Sequence, residues 1–299
     1  MFSSFVQAQQ LLSLHRGAFR ANQGFLSPEI WHQALGNSLP ADGNMGGIYA
    51  GDDFVNFHAL APAISGTTTL PSTTVPAPLG YGIYLDTATS ACAITSKSGA
   101  MNTCRMSVGA TDNHEAWMTS GGNIGALGRF SCTAGQERFA AFEVIFSVPQ
   151  IGANNGCIFL GMAEPGLAAA NTKVDDTGVM VDKDFIGFNT VQATPDQLDI
   201  IFKEEGSTQQ TVLANALTMA VDTLYNAGFV YNPKWPPSKR FRFYINNTEL
   251  DYYISDAQMA ASTFPNAVMM AFLAGLKTGS ATAAHLDIKR WRFFQQETA

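Results

Sequence analysis

Apolar and polar residues alternate with a period of two over much of the chain from about residue 80 onward. In residues 140–148, Phe142, Val144, Phe146 and Val148 fall on one face of an extended chain. This alternation predicts strands with one face in a core. Comparable runs occur later in the chain, at residues 156–162, 198–203 and 240–245. Many short strands separated by turn residues indicate an antiparallel β-sandwich or barrel.

Two local signals refine this prediction. The pair Asn246-Asn247 joins two strand-like runs, which predicts a tight hairpin because asparagine tolerates the positive φ that such turns require. Residues 256–261 are the one stretch after residue 80 that favours a helix. The fold predicted for this region is therefore mainly β, with antiparallel strands.

The last strand contains a change of phase. Leu286 and Ile288 are at even-numbered positions, whereas Trp291 and Phe293 are at odd-numbered positions, so the two pairs would lie on opposite faces of a regular strand. One extra residue in the strand would bring all four side chains to the same face. We therefore predict a β-bulge near residues 289–290.

The first sixty residues have a different pattern. Residues 2–15 favour a helix that ends near a glycine, and Ser27-Pro28-Glu29 is typical of a helix start that leads into residues 28–35. We expect residues 1–60 to form a short α-helical anchor that binds a partner. The side chains predicted to make that contact are Phe5, Leu12, Phe25 and Trp31.

Residues 61–79 are rich in proline, serine and threonine. Such a composition favours an extended linker over a packed core. The predicted organisation is a helical anchor at 1–60, a linker at 61–79 and a β-sandwich at 80–299.

Composition narrows the classes of function. The chain has 299 residues and a formal net charge of −7, and 14% of its residues are charged, against about 25% in average proteins. The acidic balance argues against nucleic-acid binding, which needs a basic face. We expect no membrane partner, because no apolar run approaches the ~18 residues of a membrane span. A surface of low charge favours assembly with other subunits.

No pattern of catalytic or metal-binding residues stands out, so we predict no enzyme activity and no cofactor. Glu143 has apolar neighbours where a glycosidase would need a second carboxylate, and a basic neighbour such as Arg242 is its expected partner. The acids at residues 175–184 lack the order of a calcium loop, so we predict no metal site.

The four cysteines, Cys92, Cys104, Cys132 and Cys157, lack zinc spacing. Buried free thiols are expected. A bridge across neighbouring strands is the alternative.

Aromatic residues supply the remaining candidates for a contact surface. Residues 231–237 form a rigid, proline-rich stretch that contains Tyr231 and Trp235, and Trp117 lies near another turn. We expect these side chains to face outward. Aromatic residues of this kind bind either a neighbouring subunit or a sugar ring, and we favour subunit packing through Tyr231 and Trp235.

Three segments resemble the concanavalin A-like, or laminin-G-like, jelly roll. They read FLGMAE at residues 159–164, KRFRFYINNTEL at 239–250 and HLDIKRWRFFQ at 285–295. The pair Asn246-Asn247 stands where that fold commonly has Asp-Gly. The resemblance implies a jelly-roll sandwich.

The whole chain is also similar to virion proteins of tailed bacteriophages, through GGIYAGDDF at residues 46–54 and ATDNHEAWMTSGGN at 110–123. This resemblance implies a non-enzymatic capsid decoration or cement protein, located in the virion. Its expected partners are the major capsid protein or other virion subunits and further copies of itself, in a trimer or dimer. The alternative is a carbohydrate-binding, lectin-like module of a fibre or tail; a glycoside hydrolase is a weaker third hypothesis.

Overall fold

A computed structural model describes most of the chain after residue 46. The described residues are 47–52, 64–65, 68–70, 81–87, 90–95, 103–120, 130–152, 156–266 and 268–296. Within them the strands are β1 Gly47–Asp52, β2 Ile64–Ser65, β3 Thr68–Leu70, β4 Tyr81–Leu85, β5 Ala91–Thr95, β6 Thr103–Val108, β7 Glu115–Ser120, β8 Ala140–Ser147, β9 Cys157–Ala163, β10 Phe185–Val191, β11 Thr194–Lys203, β12 Gln210–Thr218, β13 Tyr225–Tyr231, β14 Phe241–Ile245, β15 Thr248–Ile254, β16 Ala271–Lys277 and β17 Ala284–Gln296. A 3-10 turn at Pro237–Lys239 and a short α-helix at Asp256–Met259 complete these elements. None of the described helices is long and apolar enough to cross a membrane.

The strands form two antiparallel sheets. Sheet A has nine strands in the order β15-β14-β13-β8-β17-β6-β5-β2, and β1 pairs with β17 beside them. Sheet B has eight strands in the order β12-β11-β10-β9-β16-β7-β4-β3. The mainly β, antiparallel sandwich predicted from the alternation is therefore present.

Aromatic side chains from both sheets fill the space between them. Phe142 of sheet A lies 5.0 Å from Phe229 of the same sheet and 6.1 Å from Phe272 of sheet B, measured between ring centroids. Phe272 also stacks on Trp291 at 4.4 Å, with an angle of 7° between the rings. All four side chains are buried, so the residues that share a parity in the sequence form the core.

The structure confirms the predicted hairpin, helix and bulge. Asn246 and Asn247 have φ values of 49° and 65° in the two-residue turn between β14 and β15. The short helix occupies Asp256–Met259, within the predicted range. The register of β17 against β8 shifts between Ile288 and Arg290, so the side chains on both sides of the bulge reach the core.

Three strands come before residue 80. Strand β1 pairs with β17, β2 pairs with β5, and β3 pairs with β4. Residues assigned from the sequence to the anchor and the linker therefore supply strands to both sheets. The predicted helices at residues 2–15 and 28–35 lie outside the described residues, as do Phe5, Leu12, Phe25 and Trp31.

The face of sheet B that points away from the core is covered by the chain between β9 and β10. This covering segment, residues 164–184, packs Leu167 and Met180 against Trp117, Phe159 and other side chains of that face. The outer face of sheet B is therefore a second buried layer, which period-two alternation alone does not predict.

The four cysteines are free and buried. Cys92 and Cys104 lie on the neighbouring strands β5 and β6, with 3.6 Å between their sulfur atoms. The predicted burial of the four thiols is therefore confirmed. The pair that could bridge neighbouring strands is now identified by its position.

Candidate functional site

The outer face of β14 and β15 carries an aromatic and charged surface. Phe241, Phe243 and Ile245 of β14 point into the core, so the intervening Arg242 and Tyr244 point outward. Their cross-strand partners on β15 are Tyr253 and Glu249, which therefore lie on the same face. We call this area the Trp235 surface, and its residues are Trp235, Lys239, Arg242, Tyr244, Glu249, Asp251 and Tyr253.

Arg242 is the centre of this surface. Its guanidinium group lies 3.7 Å from the centroid of the Trp235 ring, in a cation–π contact. Its Nη1 lies 2.9 and 3.0 Å from the two carboxylate oxygens of Glu249, and its Nε donates to the Lys239 carbonyl oxygen at 3.1 Å. Trp235 therefore fixes Arg242, and Arg242 fixes the Glu249 carboxylate.

Two tyrosines extend the surface on both sides of that carboxylate. The Tyr244 hydroxyl donates to Glu249 at 3.0 Å, and burial followed by the Glu249 charge raises the Tyr244 pKa. The Tyr253 hydroxyl donates to Asp251 at 2.8 Å, and this hydrogen bond is the main cause of the raised Tyr253 pKa. Both phenols therefore stay protonated and able to donate at neutral pH.

The ionic groups of the surface balance each other. Arg242 pairs with Glu249 at 2.9 Å, and Lys239 lies 3.8 Å from Asp251. Two cations against two anions leave no net charge, so the surface does not favour a phosphate or a polybasic ligand. The Asp251 side chain is 89% exposed and that of Lys239 is 48% exposed, so both can reach a bound molecule.

Tyr253 supplies the aromatic ring that a ligand could reach. It is half-buried, and the Lys239 ammonium group lies 4.2 Å from its ring centroid. A cation–π contact at an exposed site is worth about 0.5–1 kcal/mol. An apolar face of a ligand ring could therefore displace Lys239 at small cost.

Two aromatic side chains predicted to face outward are buried. Tyr231 lies in β13, is 0% exposed, and donates its hydroxyl to the Gln136 carbonyl oxygen at 2.9 Å. Trp117 is also 0% exposed and donates its indole N–H to Glu115 at 2.9 Å. Tyr231 faces the core by parity, and the covering segment buries Trp117, so neither prediction of an outward orientation was correct. Of the two predicted contact residues, Trp235 alone is half-buried.

Glu143 has a different partner from the expected one. Its carboxylate accepts from Arg292 Nε at 2.7 Å and from Asn226 Nδ2 at 2.8 Å, whereas Arg242 pairs with Glu249. Desolvation raises the Glu143 pKa, and the Arg292 charge opposes that rise. The pairing with Arg292 was missed because it depends on which strand lies beside β8 and in what register, and β17 is distant from β8 in the sequence.

The acidic residues near the covering segment are engaged by lysines. Glu164, Asp184 and Glu205 bring one carboxylate oxygen each within 4.8 Å of the others. Lys183 Nζ lies 3.0 Å from Glu164 and 2.6 Å from Glu205, so an ammonium group already pairs with two of the three carboxylates. A metal ion would have to displace that lysine.

Sequence reasoning found Trp235 and missed its partners. Arg242 was expected to pair with Glu143, and Glu249 and Tyr253 had no assigned role. The period-two pattern could have placed Arg242 outward, and the Asn246-Asn247 turn could have set Glu249 opposite Tyr244. The stacking of Arg242 on Trp235 depends on the path of residues 231–240, which brings Trp235 over β14. The sequence pattern does not predict that path.

No family model matches the chain, and no curated protein matches its sequence. Among solved structures, the chain is similar to a protein of unknown function from Shewanella oneidensis MR-1, with a TM-score of 0.50 and 16% identity over 92% of this chain and 97% of that one. It is also similar to the Emp47p carbohydrate recognition domain, with a TM-score of 0.46 and 13% identity over 80% and 99% of the two chains. For peanut lectin the TM-score is 0.47, with 10% identity over 85% and 99%. At these identities a likeness concerns the fold alone. The strand order of the two sheets confirms the predicted two-sheet antiparallel sandwich.

Proposed function

We propose that the protein is a carbohydrate-binding sandwich that binds a neutral sugar at the Trp235 surface without cleaving it. The observation that carries the proposal is the alternation, on one exposed face, of aromatic rings with a charge-balanced set of hydrogen-bonding groups. Sugars present apolar C–H faces and hydroxyl groups together, and this surface offers a complement for both.

The roles of the individual residues follow from their contacts. Tyr253 would stack on the apolar face of a sugar ring once Lys239 moves aside. Glu249 and Asp251 would accept hydrogen bonds from sugar hydroxyls. Trp235 acts through Arg242, because the stacked guanidinium holds Glu249 in place.

Binding without cleavage is proposed from the placement of the carboxylates. Glu249 and Asp251 each bond to a tyrosine hydroxyl, and Glu249 is also paired with Arg242. Glu143 is buried against Arg292. Retaining glycosidases need one carboxylate free to attack and a second that is protonated, about 5–5.5 Å apart. Turnover of a bound glycan, abolished in Glu143→Gln, would contradict this part of the proposal.

A glycan screen tests the proposal. The purified chain should bind neutral oligosaccharides, and its affinity should change little with ionic strength because the surface has no net charge. Trp235→Ala should weaken binding, since Arg242 loses its stacking partner. A screen without hits, or hits restricted to sulfated and phosphorylated glycans, would overturn the proposal.

The virion role is a second proposal, supported by the sequence resemblance. Strand β1 begins at Gly47 and pairs with β17 over six residues, so the predicted anchor would leave directly from sheet A. Removing residues 1–46 should then abolish binding to a particle while the sandwich stays folded. Removing residues 1–60 also deletes β1, so loss of binding in that variant would not separate the anchor from the fold. Particle binding that survives the shorter truncation would refute the anchor.

A further inference from the structure

Lys173 lies in the covering segment and points into the protein beneath it. Its side chain is fully buried, and its Nζ donates to the Gly178 carbonyl oxygen at 2.7 Å and to the Thr190 carbonyl oxygen at 3.0 Å. The third bond from this nitrogen goes to the side-chain oxygen of Asn189 on β10. The amine of Lys173 and the amide of Asn189 are therefore in contact in a buried site.

The Asn189 amide is bonded on one side only. Its side chain is 1% exposed, and within the described part of the chain its Nδ2 has no hydrogen-bond partner. A buried N–H group without an acceptor costs free energy. Loss of this NH2 group would remove that cost, and the Lys173 nitrogen lies where it could replace it.

A carboxylate stands next to the pair. Asp199 on β11 is the cross-strand partner of Asn189, and both side chains point to the outer face, because their neighbours Phe188 and Ile200 are in the core. Asp199 also interacts electrostatically with Lys173. It can accept a proton from the lysine and pass it to a leaving group.

Burial favours the neutral, nucleophilic amine. Desolvation lowers the Lys173 pKa to about 7, and the nearby Lys277 lowers it further, whereas Cys157, Glu115 and Asp199 act in the opposite direction. A substantial fraction of this amine is therefore unprotonated near neutral pH, unlike that of an ordinary surface lysine.

We propose that Lys173 and Asn189 form an intramolecular isopeptide bond. The Lys173 Nζ lone pair attacks Cγ of Asn189, the new N–C bond forms, and the Cγ–Nδ2 bond breaks. One amine proton passes through the Asp199 carboxylate to Nδ2, which leaves as ammonia. Lys–NH2 and Asn–CONH2 thus become one secondary amide plus NH3, and neither oxidation nor an added reagent is needed. The product keeps one N–H, which can still bond to the carbonyl oxygen of Gly178 or Thr190.

The bond would tie the covering segment to the sheet that it covers. It would close a loop from residue 173 to residue 189 and hold the buried layer that contains Trp117 and Phe159. Closing a loop in this way removes conformations from the unfolded chain, as a disulfide does. The inference is independent of sugar binding.

Intact-mass measurement of the purified full-length chain under denaturing conditions tests the proposal. The mass should be lower than that of the sequence by one ammonia. A protease digest should contain one branched peptide that joins the segment with Lys173 to the segment with Asn189, with no tryptic cleavage after Lys173. Lys173→Arg and Asn189→Ala should each restore the full mass of their sequence.

The controls distinguish the isopeptide bond from other reactions that also release ammonia. A succinimide at an asparagine has the same mass change, but it gives no branched peptide and survives in Lys173→Arg. Lys183→Arg alters a partly exposed lysine of the same segment, which pairs with Glu164 and Glu205, and should leave the mass loss and the branched peptide intact. A wild-type chain of full mass, or a mass loss that persists in Lys173→Arg, would overturn the proposal.

Discussion

The ion pair between Glu143 and Arg292 gives the sharpest test of the energetics of this fold. Both residues lie on the outer face of sheet A, with exposures of 1% and 4%. Arg292 contacts Glu143 through Nε at 2.7 Å and Nη2 at 2.6 Å, and Asn226 donates to the other carboxylate oxygen at 2.8 Å. Replacing Arg292 with methionine keeps much of the volume but leaves the carboxylate buried without its counter-ion.

Removing one partner of a buried pair typically costs about 3–5 kcal/mol, so we expect Arg292→Met to lower the free energy of unfolding by that amount. The double variant Glu143→Met/Arg292→Met removes both charges and should recover most of the loss. Urea denaturation of the wild type, both single variants and the double variant yields the coupling energy of the pair.

The loss of stability caused by Arg292→Met should depend on pH. Burial already raises the Glu143 pKa in the folded protein, and loss of Arg292 removes the larger of the two arginine charges that oppose the rise, leaving that of Arg290. A carboxyl whose pKa is higher in the folded state binds more protons there, so stability falls as pH rises from the unfolded pKa toward the folded one. The free energy of unfolding of Arg292→Met should therefore be closest to that of the wild type near pH 5 and furthest below it near pH 8. A single-variant cost below about 1 kcal/mol, or a double variant whose cost equals the sum of the singles, would refute the reasoning.

Three further predictions concern the core and the outer layers. Phe272→Ala should lower stability by about 3–5 kcal/mol in urea denaturation, because it removes a buried ring stacked on Trp291 at 4.4 Å; a cost below about 1.5 kcal/mol would contradict that packing. Gly275→Ala should cost about 1–3 kcal/mol, since its new Cβ would lie 2.2 Å from a ring atom of Trp117; an unchanged midpoint would show that this contact can relax. Burial, with a smaller effect of a nearby arginine, lowers the His285 pKa, so the wild type should lose stability as pH falls through the ordinary histidine pKa. His285→Gln should flatten this part of the stability curve, and an identical slope would refute the assignment.

The sequence predicted those parts of the fold that depend on local pattern. Alternation identified the core face of β8 and β14, and the parity change in β17 predicted its bulge. The Asn246-Asn247 turn was predicted because its backbone needs a positive φ that few residues tolerate.

Features that depend on long-range contacts were not predictable in this way. The covering segment buries Trp117, and Arg292 pairs with Glu143 across a distance of 149 residues in the chain. At the candidate site, Trp235 was found as an aromatic residue in a proline-rich stretch. Its contact with Arg242, and that of Arg242 with Glu249, follow from the strand register and from the path of residues 231–240, which brings Trp235 over β14.

The central claim, a sugar-binding role for the Trp235 surface, is tested most directly by titrating a glycan hit from the screen into wild type, Tyr253→Ala and Tyr252→Ala. The two tyrosines are neighbours on β15, but Tyr253 is the cross-strand partner of Arg242 and lies on the Trp235 surface, whereas Tyr252, 47% exposed, is not one of the residues of that surface. Tyr253→Ala should weaken binding by about tenfold or more, equivalent to ~1.4 kcal/mol. Tyr252→Ala should bind like wild type. Equal affinities for all three proteins, or a loss confined to Tyr252→Ala, would contradict the account.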